Sequence, residues 1–243
     1  MSVSEPVPRV TTIIADFGDP LSFLASQRAD RLAALGHDLR WLAVEGDRRC
    51  PIGAGRALDD ALLARLSRLR LPGETMSTAR RAPNSAAATA AYAESITDGC
   101  KDPMRRALFE AAWVKGARVD DPNVIRSLAY GVLNPEPLGD VRFRIQENVP
   151  VVPFREPYPS ARSRQLGFLV SMGRGPLTGA GQARLDRWVR VWQQAGAARL
   201  PLVLTARGEM FSGERALQWL ADQLAAHAAA PRPEQRHGEP VAA

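Results

Sequence analysis

The sequence predicts a mixed α/β fold in which one sheet is interrupted by an inserted block of helices. A strand–helix–strand pattern opens the chain, several helical patterns follow, and the chain closes with two short strands and a helix. The predicted order is therefore β-α-β, helical insert, then β-β-α. With 243 residues, of which 45% are hydrophobic, the chain is long enough to bury a core of this kind.

The first unit is read from its hydrophobic periodicity. Residues 9–17 are β-branched and apolar, which is typical of a buried strand. Over residues 20–35 the apolar positions recur at helical spacing and stop at Gly36, a residue that favours a helix end. Residues 38–45 alternate as a second strand does. Because a helix connects the two strands, we expect them to be parallel.

The helical insert is predicted from four further patterns, each with a start or stop signal. They cover residues 57–70, 85–96, 102–116 and 121–131. Asn84 is a candidate N-cap for the second. An Asp-Pro pair opens the third and the fourth, as it also does at Asp19-Pro20, and Asp at N-cap followed by Pro at N1 is a favoured helix start.

The second half of the chain begins with a proline-rich stretch that is too long for an ordinary connection. We expect a covering loop with short strands, such as 149–154, or a mobile lid. A helix is predicted over 181–196, a hairpin turn at Arg207-Gly208, and a closing helix over 214–228. The resulting division is a sheet domain from 9–50 and 181–228, an inserted helical domain at 51–133, a connecting or lid segment at 134–180, and a tail at 229–243.

The net charge and the positions of the arginines bear on which class of molecule the protein binds. The net charge is +6 and the isoelectric point is about 10.1, but the arginines are scattered and form no stripe with aromatic residues, so a solvated basic surface is favoured over nucleic-acid binding. No apolar run approaches the roughly 18 residues that cross a bilayer, and the N-terminus lacks a secretory pattern. We expect a cytoplasmic protein without a membrane or nucleic-acid partner.

Cysteine and histidine give little sign of a metal site. The chain has two cysteines, Cys50 and Cys100, with neither a C-x-x-C motif nor zinc spacing, and its three histidines have no ligand or triad pattern. We therefore expect no metal. The cysteines should be reduced in a cytosolic protein, although disulfide chemistry between them stays open if the fold brings them together.

Three segments resemble the DsbA-like thioredoxin-fold superfamily, which includes disulfide oxidoreductases, kappa-class glutathione transferases and 2-hydroxychromene-2-carboxylate isomerases. The first contains the stretch DFGDPLSFLAS, the second resembles the helical insert of that superfamily, and the third resembles its closing hairpin and helix. Together they span about residues 9–45, 83–131 and 198–224. The resemblance implies a thioredoxin-like sheet with an inserted helical domain.

The resemblance also implies a site. In the superfamily a Cys or Ser before the active-site proline carries the chemistry, and that position is Asp19 here, with Ser22 at the second cysteine position. Carboxylates cannot form mixed disulfides, so thiol–disulfide exchange through this motif is excluded. By position Leu200-Pro201 is the cis-proline loop, whose backbone can pair with an extended ligand. Residues Glu214 and Arg215 match a glutathione-contacting turn.

Two interpretations of the Asp19-Pro20-Leu21-Ser22 stretch remain open. In the first, Asp19 only caps its helix, where the helix dipole stabilises its charge by roughly 0.3–1 kcal/mol. In the second, the carboxylate faces a cleft beside Pro201 and accepts a proton from a substrate hydroxyl or thiol, with Ser22 orienting it.

Three functional hypotheses follow, and whether the chain is an enzyme is open. It could be an isomerase or transferase that uses glutathione or mycothiol. It could be a catalytically silent thioredoxin-like module that grips a peptide or small molecule in its cleft. It could also be a divergent DsbA-type oxidoreductase that works through Cys50 and Cys100. A homodimer is compatible with each hypothesis.

Overall fold

The computed structural model describes residues 10–75, 79–134 and 166–229. The helices in these ranges are α1 Pro20–Ala34, α2 Asp60–Leu69, α3 Ala86–Ser95, α4 Lys101–Trp113, α5 Pro122–Leu133, α6 Gly179–Gln194 and α7 Glu214–Ala229. The strands are β1 Thr11–Ala15, β2 Leu39–Ala43, β3 Arg56–Ala57, β4 Arg81–Ala82, β5 Leu202–Leu204 and β6 Met210–Ser212.

The main sheet has four strands in the order β2-β1-β5-β6. Strands β1 and β2 are parallel, with Ile13 opposite Trp41, which confirms the expectation from the connecting helix. Strand β5 runs antiparallel to β1, with Ile14 opposite Leu202. The centre of β1 is fully buried, because it has a paired strand on each side and helices pack over the sheet.

The predicted closing hairpin is confirmed. Strands β5 and β6 are antiparallel, and the Thr205 amide donates to the Glu209 carbonyl at 2.9 Å across the turn. Gly208 has a φ of +83°, a conformation that glycine adopts without the steric penalty of a side chain. The hairpin therefore forms at the turn signal read from the sequence.

The predicted helices all form, but two of their caps differ from expectation. Helix α4 begins at Lys101, so Asp102 lies in its first turn and not at its N-cap. The N-cap is Cys100, whose side chain makes no capping hydrogen bond. The N-cap of α3 is Ser85, while Asn84 donates to the Cys50 carbonyl at 3.0 Å. A tertiary contact, which a local pattern does not contain, thus engages the Asn84 side chain.

A second, two-stranded sheet pairs β3 with β4 and was not predicted from the sequence. Each of its strands has two residues, which is too short to show a period. The pairing closes the loop that carries Gly53 and Gly55, and the Gly53 amide donates to the buried carboxylate of Asp120.

An aromatic cluster supports the turn between β1 and α1. The Phe17 ring lies 4.7 Å from Phe109 and 5.8 Å from Tyr92, measured between centroids. The indole nitrogen of Trp113 donates to the Phe17 carbonyl at 2.9 Å. All four residues are buried. Side chains of the helical insert therefore pack against the loop that leads into Asp19.

A buried ion pair joins α1 to its neighbours. Arg28 contacts Glu74 at 2.7 Å, and both side chains are at most 2% exposed. The same guanidinium donates to the Leu217 carbonyl in α7 at 2.7 Å and to the Leu69 carbonyl at the end of α2. One side chain thus links three helices at the middle of α1.

The domain boundaries drawn from the sequence stay predictions. The strand expected at 149–154 lies outside the described residues, as do most of the 134–180 segment and the tail beyond residue 229. From residue 166 onward the segment forms a bridge between Val170 and Pro176. Thr178 then caps α6 and contacts the buried Glu94 at 2.8 Å. Within the described ranges no helix is long and apolar enough to cross a membrane.

Candidate functional site

Asp19 is the N-cap of α1, as predicted. Its backbone is extended, Pro20 follows at the first helical position, and its Oδ2 accepts the Ser22 amide at 2.8 Å. The Ser22 hydroxyl donates to the same oxygen at 2.6 Å. The capping interpretation is therefore correct for one carboxylate oxygen. Asp19 nevertheless remains partly exposed, so capping does not shield the residue fully from solvent.

The environment of Asp19 brings its titration into the neutral range. Burial raises the pKa of this carboxyl group to about 7, and the negative charge of Asp16 adds to the rise. Hydrogen bonds from Ser22 and Leu21 oppose it. A carboxyl group with a pKa near the working pH can both accept and release a proton, which an ordinary exposed helix cap does not do at neutral pH.

Asp16 is the residue that sequence reasoning missed. It follows the end of β1 and is 4% exposed. Its Oδ1 accepts the Gly18 amide and its Oδ2 the Gly46 amide, each at 2.7 Å. Burial raises the pKa of Asp16, while the hydroxyl of Ser85 and the backbone donors lower it. Because its partners are donors, the surroundings fit the ionised carboxylate.

Asp16 and Asp19 form a coupled pair joined through Ser22. The Asp16 amide donates to the Ser22 hydroxyl oxygen at 3.2 Å, and that hydroxyl donates to Asp19. Two close carboxyl groups in a partly desolvated place cannot both ionise easily, so one holds the negative charge and the other holds a proton. Both oxygens of Asp16 accept backbone N–H groups, and the negative charge of Asp16 raises the pKa of Asp19.

The cis-proline loop lies at the same edge of the sheet. The Leu200-Pro201 peptide bond is cis. Since Ile14 pairs with Leu202, the antiparallel register places Pro201 beside the end of β1. A Cβ atom on Gly46 would lie 2.8 Å from Leu200 Cδ1 and 3.0 Å from Asp16 Oδ2. Leu200 and Asp16 are thus packed around Gly46, which places the cis-proline loop beside Asp16; the expected cleft between Pro201 and Asp19 stays a prediction.

The structure brings the backbone of the turn before Glu214 and Arg215 to the cis-proline loop, but the Glu214 side chain points elsewhere. The Gly213 amide donates to the Pro201 carbonyl at 2.8 Å, so the start of α7 is fixed to the cis-proline loop. The Glu214 carboxylate, however, forms an ion pair with Arg65 of α2 at 2.7 Å. Arg215 is exposed. The backbone of this turn belongs to the site region, while the Glu214 side chain is engaged at α2.

A cavity of about 390 Å³ lies at the end of β2, beside Glu45. Its polar wall includes Glu45, Arg48 and Asn84. Burial raises the pKa of Glu45, Arg48 lowers it, and the charge of Asp16 raises it further. Apolar side chains from Leu185 and Val189 complete the wall. A pocket of this size and mixed lining suits a small organic molecule.

The cysteines do not form a redox pair. Both are free thiols. Cys50 donates to the Ala82 carbonyl at 3.4 Å, and Cys100 donates to the Ser95 carbonyl at 3.6 Å. Burial raises the pKa of each thiol, and the charges of Asp47 beside Cys50 and Asp98 beside Cys100 raise it further. The two cysteines are not bonded to each other in this structure, and the raised pKa of each means that neither thiol is activated as a thiolate.

Metal ligation has no support in the described part of the chain. Among residues 10–75, 79–134 and 166–229, no group of three or more His, Cys, Asp or Glu side chains is placed to hold a metal ion. The carboxylate oxygens of Asp16 accept N–H groups, which is an arrangement for holding a negative charge.

Comparisons with solved structures identify the fold. A 2-hydroxychromene-2-carboxylate isomerase matches with a TM-score of 0.60 at 18% identity, over 90% of this chain and 96% of the isomerase. A DsbA-type protein of Streptomyces coelicolor matches at 0.60 and 14%, over 92% and 91%. The cytosolic disulfide reductase DsbM of Pseudomonas aeruginosa, in a structure with GSH, matches at 0.55 and 17%, over 89% and 96%. No protein-family model and no curated protein matches the sequence.

Proposed function

We propose that this chain, which has the DsbA-like thioredoxin fold, is an isomerase or transferase that uses a low-molecular-weight thiol. Glutathione and mycothiol are the candidates. The observation that carries the proposal is Asp19, whose pKa is raised to about 7 at the edge of the sheet that also holds the cis Leu200-Pro201 peptide. The likeness to an isomerase and to a reductase found with GSH supplies the class of co-substrate.

Asp19 would act as the proton acceptor for the thiol. A free thiol has a pKa of about 8.5, so a carboxylate that titrates near 7 is a weak but matched base for it. The S–H proton passes to Asp19, and the thiolate adds to an electrophilic carbon of the second substrate. In an isomerase the adduct later expels the thiolate, which recovers its proton from Asp19. In a transferase the new C–S bond remains, and the proton goes to the product or to solvent.

The neighbouring groups would support this step. Ser22 donates two hydrogen bonds to Oδ2 of Asp19 and fixes that oxygen. Asp16 keeps its negative charge among backbone donors, which raises the proton affinity of Asp19. The backbone around Pro201 offers a strand edge for a peptide-like thiol.

The second candidate function is a catalytically silent binding module. It is favoured by one observation, the two hydrogen bonds that tie Oδ2 of Asp19 to its own helix. In that case the cleft would grip an extended peptide through the Pro201 backbone, and Asp19 would serve stability alone. A Pro201→Thr variant that keeps its fold and all its captured partners would argue against that cleft.

Calorimetric titration with glutathione and with mycothiol separates the two functions. The wild type should bind one of them, and Asp19→Asn should keep the helix cap but lose the pH dependence of binding between pH 6 and 8. Asp121→Asn is a matched control, because Asp121 caps α5 and also precedes a proline. The absence of binding by the wild type at millimolar thiol would remove the proposal.

Unchanged pH dependence in Asp19→Asn would remove Asp19 from the mechanism while leaving the thiol site in place. A cytosolic setting, as in the DsbM reductase, would supply such a thiol.

A further inference from the structure

Three consecutive residues of the predicted helical insert contact the surroundings of Asp16. Residues 83–85 follow β4 and lead into α3, whereas Asp16 follows β1 of the main sheet. Asn84 and Ser85 are 4% and 3% exposed, so their contacts belong to the interior of the protein. Each of the three residues meets a different part of the environment that holds the Asp16 carboxylate.

Pro83 packs against the turn that follows Asp16. A Cβ atom on Gly18 would lie 2.6 Å from the Pro83 carbonyl oxygen and 3.3 Å from Asp16 Oδ1. The turn and the segment therefore meet backbone to backbone, with no room for a side chain between them. The Gly18 amide donates to Asp16 Oδ1 at 2.7 Å, so the place of this donor is fixed by its contact with Pro83.

Asn84 fixes the loop that follows β2. Its side-chain nitrogen donates to the Cys50 carbonyl at 3.0 Å and contacts the Glu45 carboxylate at 3.5 Å, so it reaches both ends of the loop. Between these ends lies Gly46, whose amide donates to Asp16 Oδ2 at 2.7 Å. The second backbone donor of Asp16 is thus carried by a loop that Asn84 holds.

Ser85 acts on Asp16 through its hydroxyl group. Ser85 is the N-cap of α3, but its side chain makes no capping hydrogen bond; the Ala86 amide donates to the Asn84 side-chain oxygen at 3.1 Å. Burial raises the pKa of Asp16, and the Ser85 hydroxyl lowers it more than any single backbone donor does. A serine at N-cap ordinarily bonds its own helix, so this one serves the carboxylate.

We propose that Asn84 and Ser85 are positioning residues: they hold the donors of Asp16 in place and thereby control its negative charge beside Asp19. A buried carboxylate keeps its charge only while donors stay aligned with its oxygens, and both residues maintain that alignment. The inference rests on the proposed function, since the proton on Asp19 is the one that the thiol step uses. It makes the protonation of Asp19 depend on how the start of α3 packs against the main sheet.

The charged and titratable groups near Asp16 lie in two elements. One is Asp19 at the start of α1. The others are in the loop after β2, which carries Glu45, Asp47, Arg48 and Cys50. Burial raises the pKa of Glu45 and of the Cys50 thiol, and the charge of Asp16 adds to the rise in both. Residues 83–86 contain no ionisable side chain. A variant that displaces the loop therefore changes the electrostatic surroundings of Asp16 together with its donors.

NMR titration of the full chain, labelled with ¹³C at the aspartate carboxyl groups, measures both members of the pair between pH 3 and 9. Asp16→Asn and Asp19→Asn assign the two signals. Asp16→Asn should also lower the Asp19 midpoint from about 7, because the neighbouring charge is removed. Asn84→Ala should raise the Asp16 midpoint by about one pH unit, which is the shift expected when a hydrogen bond to a charged group is weakened.

Ser95→Ala is the matched control, because Ser95 is fully buried at the other end of α3 and donates to the Tyr92 carbonyl at 2.7 Å. It should lower the stability of the protein and leave both midpoints unchanged. Ser85→Ala should raise the Asp16 midpoint as Asn84→Ala does, and Ser85→Thr, which keeps the hydroxyl group, should not. The Ser85 variants also decide the question when Asn84→Ala does not fold.

An Asp16 midpoint that is unchanged in Asn84→Ala or in Ser85→Ala would overturn the role of that residue, and a shift of equal size in Ser95→Ala would overturn both. The titrations need no thiol, so the proposed function fails separately. Shifted midpoints without thiol binding would leave the positioning role and remove the thiol chemistry. Thiol binding with unchanged midpoints would do the reverse.

Discussion

Replacement of Asp19 by Asn should stabilise the protein at neutral and alkaline pH. Asn is as good an N-cap as Asp, so the helix start is kept while the ionisable group is removed. The pKa of Asp19 is raised from 3.8 to about 7 by burial and by the charge of Asp16. A shift of about three units corresponds to about 4 kcal/mol. Because Asp19 is partly exposed, solvent screening reduces this ceiling, and we expect a gain of about 2 kcal/mol at pH 8.

The sign follows from proton binding. With the folded pKa raised above the unfolded one, the folded state holds more protons between pH 3.8 and about 7, so the contribution of Asp19 to stability is present below pH 3.8 and is lost as the pH rises through 7. The Asp19→Asn variant has no ionisable group at this position, so its stability does not fall in this way as the pH rises. Its advantage should therefore be near zero at pH 4 and should grow to its full value by pH 8. Part of this gain in stability arises because the charge of Asp16 is no longer repelled by a charge on residue 19.

Urea unfolding followed by tryptophan fluorescence at pH 4, 6 and 8 measures the difference. Asp59→Asn is the control, since Asp59 caps α2 through the same kind of bond, at 2.6 Å to the Leu62 amide, but is exposed. That variant should stay within about 0.5 kcal/mol of the wild type. An Asp19→Asn variant that is less stable at pH 8, or whose effect is independent of pH, would refute the carboxyl pair.

Two further substitutions test the framework around the site. Glu74→Gln leaves the charge of Arg28 buried without its partner, so the free energy of unfolding should fall by about 3 kcal/mol; a change below 1 kcal/mol in urea unfolding would contradict the role of this pair. Gly46→Ala places a Cβ 2.8 Å from the side chain before the cis proline, which should cost about 1–3 kcal/mol and weaken thiol binding. Gly131→Ala is the control because an added Cβ there meets nothing within 4 Å, and it should be neutral or stabilising by up to about 1 kcal/mol.

The site could be predicted only in part. The helix cap at Asp19 is local, so a short stretch of sequence was enough to identify it. Asp16 was missed because a carboxylate after an apolar strand reads as the end of that strand. The signal that could have found it is the pair of carboxylates three positions apart, followed by Ser22, at the tip of one strand. Its donors, Gly46 and Ser85, come from distant loops, which no local pattern connects to it.

Glu214 shows the opposite case. A glutamate in the first turn of a helix was assigned to a ligand by resemblance; the structure places it in a half-exposed ion pair with Arg65, and its contact with a ligand stays a prediction. The ion pair depends on how α2 lies against α7, and the sequence of either helix contains no record of the other. The cysteines are similar, because the burial that raises the pKa of each thiol depends on the whole fold.

The sequence by itself determined the order of the helices and of the four main-sheet strands, the parallel first unit, the closing hairpin, and the absence of sulfur from the position before Pro20. These features follow from periodicity, turn residues and residue chemistry, which act over a few positions. Only the tertiary structure decided that the charge of Asp16 acts on Asp19 and that Leu200 of the cis-proline loop packs against Gly46 beside Asp16. Burial and long-range hydrogen bonding set these properties, and both depend on segments that meet only when the chain is folded.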